Sequence, residues 1–253
     1  MCVLALAWDA HPRWRLVVAG NRDELHARPA APLRRWDQPD DLLAGRDLQS
    51  GGTWMGVSEQ GRFAVVTNLR GFGPPAAGRR SRGVLLRDLL AGQGRYADPT
   101  DAELADFNPL NLIVLQEGQV AFRCNRPAPA RRILPPGIYG LSNGALDEPW
   151  PKTLRLKAIL SQWIEVGADP PQALLDGLRE DALPAPGGPP VAPSDVAQEP
   201  PLSPIFIRNP VYGTRCSTVA AIDHAGCGLI VERRFDAAGQ PRGQTALAFS
   251  WPW

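Results

Sequence analysis

Chemistry in this chain starts at its second residue. Cys2 follows Met1 directly, and a side chain this small lets the initiator Met be trimmed away. What remains would carry a thiol and a free α-amine on one residue. The amine titrates at roughly 7.7 to 8.0 and the thiol at roughly 8.5, so proton transfer between them is nearly balanced at neutral pH. That is a nucleophile with its own base. Such a cysteine needs a nearby Arg to favour the thiolate, a carboxylate to hold the amine, and amide donors for a developing oxyanion. These types occur in Asn21-Arg22-Asp23-Glu24, Asn68-Leu69-Arg70 and Ser142-Asn143, and Arg215 adds a charge inside an otherwise apolar run. Each also has a bland reading: Arg22 and Asp23 as a strand-end pair, Asn68 and Asn143 as turn formers, Arg215 snorkelling from an edge, Cys2 as a frayed terminus. The residues alone leave both readings open.

The elements that must position these groups read as strand clusters separated by helices. Val3 to Trp8 and Leu16 to Gly20 are apolar runs joined by a turn, a hairpin that returns Asn21 to Glu24 beside Cys2. A weak strand at Leu33 to Trp36 and a loop at Asp37 to Asp41 follow. Gly51 to Val57 and Arg62 to Asn68 read as antiparallel strands, and Gly71 to Gly78 as a loop. Prolines at 74 and 75 stand where a phosphate-binding loop would start its helix, so Gly71-Phe72-Gly73 is no nucleotide motif. Helical spacing covers Ser81 to Leu90 with Ser81 as cap, a short helix is expected from Thr100 to Phe107, and the clearest runs from Pro151 to Val166. Asn111 to Gln116 and Gln119 to Cys124 form a hairpin around Glu117-Gly118, and Ile138 to Gly144 ends in the polar Ser142-Asn143 tip. Pro170 to Glu180 is helical, and Leu183 to Pro204 is a proline-rich excursion. Tyr212 to Ile222, Cys227 to Phe235 and Thr245 to Trp251 complete the sheets. The pattern is α+β, with antiparallel sheets covered by helices, in one domain over residues 1–253.

Composition excludes some partners. At 253 residues, 44% apolar, 21% charged and net charge +1, nothing calls for nucleic acid or an anionic membrane. The apolar runs are too short to span a bilayer and no secretory signal precedes them, so a cytoplasmic protein is expected. Cys2, Cys124, Cys216 and Cys227 lack zinc spacing, and Cys216, His224 and Cys227 make a weak metal set without a fourth ligand. No metal is called for, and oligomeric state is not legible.

Taken together, Met1-Cys2, the Asn21-Arg22-Asp23-Glu24 strand end, Gly51-Gly52-Thr53-Trp54-Met55-Gly56-Val57, Thr67-Asn68-Leu69-Arg70, Tyr139-Gly140-Leu141-Ser142-Asn143 and Tyr212-Gly213-Thr214-Arg215 resemble the NRDE family over nearly the whole chain. The resemblance implies a fold similar to N-terminal nucleophile hydrolases, an αββα sandwich with two mainly antiparallel sheets between helical layers. It implies Cys2 as nucleophile, Asn143 as oxyanion asparagine and Asp23 with Arg22 near the amine, with Asn21 as the alternative to Arg22. Asn68 and Arg215 are weaker matches. The activity so implied is hydrolysis or acyl transfer at an amide bond. The alternative is a carrier or chaperone, since eukaryotic members are linked to Golgi organisation, haem trafficking and acyl-CoA or lipid metabolism. Haem would draw its axial ligand from His11, His26, His224, Met55 or the cysteines. Three expectations follow: the mature chain begins at Cys2; Cys2 lies in a concave pocket with Arg22 or Asp23 and Asn143; and Cys2 alkylates faster than Cys124, Cys216 and Cys227, which are taken to be shielded in strands.

Overall fold

The first strand, β1 (Cys2–Trp8), is buried along its whole length, which for a period-2 element means that both of its faces are covered. Leu4, Leu6 and Trp8 point one way into a core shared with Val57, Phe63, Val65, Ile113 and Leu115. Val3, Ala5 and Ala7 point the other way, against Leu156, Leu160 and Leu174. Two sheets packed face to face with helices outside them satisfy both demands.

The computed structural model describes residues 2–39, 41–166, 170–183, 187–188, 190, 192, 194–198 and 202–252. After β1 come β2 (Trp14–Leu25), β3 (Ala30–Arg35), β4 (Leu42–Asp47), β5 (Met55–Ser58), β6 (Arg62–Asn68), α1 (Arg82–Ala91) and α2 (Asp101–Leu104). The hairpin β7 (Leu110–Gln116) and β8 (Gln119–Cys124) follows, then β9 (Ala130–Ile133), β10 (Gly137–Leu141) and α3 (Pro151–Val166). A 3-10 turn (Pro171–Ala173) runs into α4 (Leu174–Gly177), and β11 (Tyr212–Asp223), β12 (Cys227–Phe235) and β13 (Pro241–Ser250) complete the chain. One sheet has the order β10-β1-β2-β11-β12-β13 and the other β3-β4-β5-β6-β7-β8-β9, with every pairing antiparallel. α3 and α4 cover the outer face of the first sheet and α1 that of the second, where Leu85, Leu86, Leu89 and Leu90 pack on Ala64, Val66 and Leu112. No helix among the described residues is long and apolar enough to cross a membrane.

The structure departs from the expected elements where glycine and charge conceal a strand. β4 was not anticipated, because Leu42-Leu43-Ala44-Gly45-Arg46-Asp47 is half polar; pairing with both β3 and β5 makes it a strand. β9 is fully exposed and shows no apolar face. Gly51 to Trp54 is not strand, and β5 starts only at Met55. The reason is a close approach: a Cβ on Gly52 would stand 2.1 Å from the carbonyl carbon of Gly83 in the first turn of α1. α2 stops at Leu104 behind its Thr100–Glu103 capping box, and β13 begins at Pro241. The proline-rich excursion lies partly outside the described residues, and its described part holds no helix or strand.

Candidate active site

Register places the first groups. Cys2 opposes Arg22 across the β1–β2 pair, and Arg22 in turn opposes Cys216 on β11. Alternation along β2 then divides Asn21-Arg22-Asp23-Glu24 between two faces. Asn21 turns outward, where its amide donates to Leu178 O and Ile205 O, both at 2.8 Å, and Ser217 Oγ donates to it at 2.6 Å. It is a structural clasp, so of the two alternatives it is Arg22 that lies at the pocket. Asp23 is buried beside Cys2 and accepts from Thr214 Oγ1 at 2.6 Å, while Tyr212 OH donates to its backbone carbonyl at 3.0 Å.

The chain beyond β10 leaves the edge of the first sheet and crosses to the end of β6 in the second. Ser142 Oγ donates to Cys2 O at 2.7 Å, and the Cys2 nitrogen donates to Asn143 Oδ1 at 3.0 Å. Asn143 Nδ2 donates to Asn68 O at 2.7 Å, Arg70 N to Asn143 O at 2.9 Å, and Thr67 Oγ1 to Ser142 O at 2.8 Å. Both ends of the Asn143 amide are thereby spoken for, with the oxygen on Cys2 and the nitrogen on the backbone of Asn68. In the full sequence Met1 makes the Cys2 nitrogen a peptide amide, and Met1 lies outside the described residues.

Cys2, Arg22, Asp23, Asn68 and Arg215 line a single cavity of about 550 Å³ between the ends of the two sheets, and Asn143 borders it behind Cys2 and Asn68. Arg22 bonds Asp47 at 2.9 Å and lies 3.7 Å from Glu24. Arg215, at an irregularity of β11 between Thr214 and Cys216, donates to Leu25 O at 2.7 Å and Arg28 O at 2.9 Å. It fixes the chain that leaves β2, on a strand held from both sides rather than at an edge.

Burial pushes the Cys2 thiol above its ordinary value, and the Asp23 charge adds to this. The positive chain terminus, Arg22 and a hydrogen bond from the Asp23 backbone pull it down without cancelling the rise. Such a thiol needs a proton acceptor in contact. Cys216 is buried and pushed higher, by burial first and then by Glu232. Glu232 is itself raised by burial despite a 2.8 Å hydrogen bond from Leu33 N. Cys124 is partly exposed and Cys227 exposed, so the expectation that both are shielded fails: Cys227 opens β12 right after a turn.

Asp47 was not anticipated. It accepts from Arg22, from Arg28 at 2.5 Å, and from Ser50 N and Oγ at 2.9 and 3.0 Å. Burial pushes its carboxyl up, but the bonds from Arg28 and Ser50 and the charges of Arg28 and Arg22 outweigh this and hold it below the usual range. Asp followed three residues later by Ser, in a glycine-rich turn, is the signal that could have found it. Arg82, in the first turn of α1, was also missed; it donates to Pro109 O at 2.7 Å and lines the same cavity.

Of the groups named as haem ligands, Cys2 and Cys216 line the cavity and the histidines and Met55 do not. His11 and His224 lie at the far end of β1 and β11, where His11 accepts from Arg13 N and Trp14 N and His224 contacts His11 O. Met55 is buried in the inter-sheet core, and His26 contacts Asn209 O, so neither belongs to the cavity lining. Cys216 lies within β11 and His224 in the turn that follows it, and no group of three or more metal-binding side chains occurs among the described residues.

Residues 1–237 match the family described as Transport and Golgi organisation 2. The chain is 32% identical over 270 residues to the Transport and Golgi organization protein 2 homolog of Bos taurus, covering 97% of each. It is 32% identical over 263 residues to the human homolog, covering 92% of each. Among solved structures, a mutant conjugated bile acid hydrolase from Clostridium perfringens superposes with a TM-score of 0.53 at 8% identity, over 100% of this chain and 97% of that one. At that identity the likeness speaks for the fold, which is that of the N-terminal nucleophile hydrolases. Sequence match over almost the full length and a strand end that sets Cys2 against Arg22 and Asn143 agree, and the chain belongs to the Transport and Golgi organisation 2 family.

Proposed function

We propose that this protein is a cysteine N-terminal nucleophile hydrolase acting on a non-peptide amide bond. The observation that carries this reading is Asn143 Oδ1 on the Cys2 nitrogen at 3.0 Å, at a cavity of about 550 Å³. Removal of Met1 turns that nitrogen into an α-amine already oriented by Asn143, within one residue of a thiol that burial keeps protonated. The amine takes the thiol proton and sulfur attacks the carbonyl carbon. As the C–S bond forms, the carbonyl electron pair moves onto oxygen, where the Asn68 side chain donates to it; Asn143, whose amide is engaged by Cys2 and Asn68 O, positions both partners. The C–N bond breaks and the ammonium passes its proton to the departing amine. Water, deprotonated by the same α-amine, then attacks the thioester; the C–S bond breaks, the acid leaves and the thiol is restored. Arg22 and Asp23 set the charge around the sulfur, and Arg215 positions the loop after β2.

The test joins processing to turnover. Intact mass of the purified protein should correspond to a chain beginning at Cys2, and Cys2→Ala should lower hydrolysis of any acyl amide found in a screen by about three orders of magnitude or more, with an unchanged unfolding midpoint. Retention of Met1, or full turnover by Cys2→Ala, sinks the hydrolase. Tight binding of acyl-CoA or haem with release unchanged would move the assignment to a carrier.

A further inference from the structure

The cavity has a charge that the whole chain does not. Nine arginines and four carboxylates line it, whereas the full sequence carries a formal net charge of only +1. The basic excess is therefore local to the pocket, balanced by acidity elsewhere on the molecule. The four carboxylates are already engaged. Asp47 and Glu24 share Arg22 and Arg28, Asp23 accepts from Thr214, and burial pushes Glu232 towards its neutral form. Arg79, Arg80, Arg82, Arg215 and Arg234 are left with no carboxylate within ion-pair distance among the described residues. Four of the five touch neutral groups. Arg79 donates to Ala105 O, Arg82 to Pro109 O and Arg215 to Leu25 O and Arg28 O, while Arg80 lies over the Tyr96 ring.

Arg82 shows the cost most clearly. Burial pulls its guanidinium down to about 10; Cys2 and Glu24 oppose the fall and Arg28 adds to it, so it stays charged at neutral pH in a site where burial outweighs the favourable charges. Arg79 and Arg80 are exposed at the cavity mouth, whereas Arg82 and Arg215 are half-buried beside it, and holding such uncompensated cations in a concave, partly desolvated space is unfavourable unless an anion joins them. Arg82 comes from α1 over one sheet and Arg215 from β11 in the other, so the charge converges on the cavity from both layers. A cavity of about 550 Å³ is of small-molecule size and has no room for a nucleic-acid backbone or a folded partner.

We infer that the pocket takes substrates bearing an anionic group, a carboxylate or a phosphate, which seats against Arg82, Arg80 and Arg215 while the scissile carbonyl lies at Cys2. This substrate class rests on the hydrolase reading for its carbonyl, but the anion seat itself is separable from turnover.

The experiment therefore measures binding on Cys2→Ala protein, using calorimetry with three decanoyl amides: the neutral ethanolamide, the glycine conjugate and the phosphoethanolamide. At least one anionic amide should bind about tenfold or more tightly than the neutral one, and the margin should shrink as salt rises from about 50 to about 500 mM. Arg82→Gln and Arg80→Gln, made separately so that a folding failure of one leaves the other, should each narrow the margin. The order of the two anions identifies carboxylate or phosphate as the group recognised. Equal affinity for neutral and anionic amides, no binding of any, or a margin untouched in both Arg variants overturns the inference. If the margin is present but unmodified protein hydrolyses none of the three, the anion seat stands and the hydrolase falls; hydrolysis without anionic preference gives the converse.

Discussion

Asp47 is the residue on which the charged wall of the cavity turns. One carboxylate holds Arg22 and Arg28 and caps the turn at Ser50, so its loss leaves two guanidinium groups to the longer contacts with Glu24. Because its folded pKa lies below the ordinary value, its stabilising contribution is present above the unfolded pKa of about 3.9 and is lost as pH falls through the lower folded value. Asp47→Asn should lower stability at pH 7 by about 1 to 3 kcal/mol, and the difference should vanish as the wild-type carboxylate protonates. Denaturant midpoints of both proteins from pH 7 down to pH 3 check this; a constant difference across that range would falsify the pairing. The thiols offer a second test. In protein that retains Met1, an alkylating agent should reach exposed Cys227 before buried Cys2; once Met1 is gone, the adjacent amine should reverse that order. Peptide mapping of both forms at short reaction times decides it.

Among the elements, α1 and the glycine turn before β5 act as one unit. Gly52 lies so close to Gly83 that the two backbones touch, and Thr53 N donates to Gly83 O at 3.2 Å. This contact lowers the start of α1, and Arg82 with it, onto the cavity. Ser81 caps the helix by accepting from Gly83 N at 3.2 Å, and Gly92 ends it at φ 62°. Gly52→Ala should cost about 3 kcal/mol, since the atoms met are backbone and cannot rotate away. Ser81→Ala should cost about 1 kcal/mol. Equilibrium unfolding of the two variants should preserve this ranking; a Gly52→Ala protein as stable as wild type means that α1 does not rest on the turn.

At the scale of the molecule, the sheets are assembled from distant chain segments. β2 is flanked by β1 and by β11, which begins nearly two hundred residues later, and β1 is completed on its other edge by β10. Until β11 arrives, a twelve-residue strand with a largely buried face has an open edge. A chain ending at residue 204 should therefore show no cooperative unfolding transition and should aggregate, while the full chain should unfold as a unit and refold slowly, as non-local antiparallel pairing requires. A sharp transition in the truncated chain would show that the two sheets do not depend on each other as the topology implies.

Sequence alone determined the parts whose signal is local. Helix α3 appears from Pro151 to Val166 as its apolar spacing requires, the β7–β8 hairpin turns at Glu117-Gly118, and the first hairpin sets Cys2 opposite Arg22 because its register follows from its pattern. The α+β class was legible in strands clustered between helices, and the αββα sandwich in what the motifs shared with the NRDE family imply. Tertiary structure decided what depends on contacts between distant segments. It oriented the Asn143 amide between Cys2 and Asn68, turned Asn21 outward to Leu178, just past α4, and to Ile205, and made Asp47 the partner of two arginines. It also gathered nine arginines around one cavity in a chain whose total charge is near zero. A sum over the sequence carries no positions, and electrostatic energy depends on where charges sit and how far solvent reaches them.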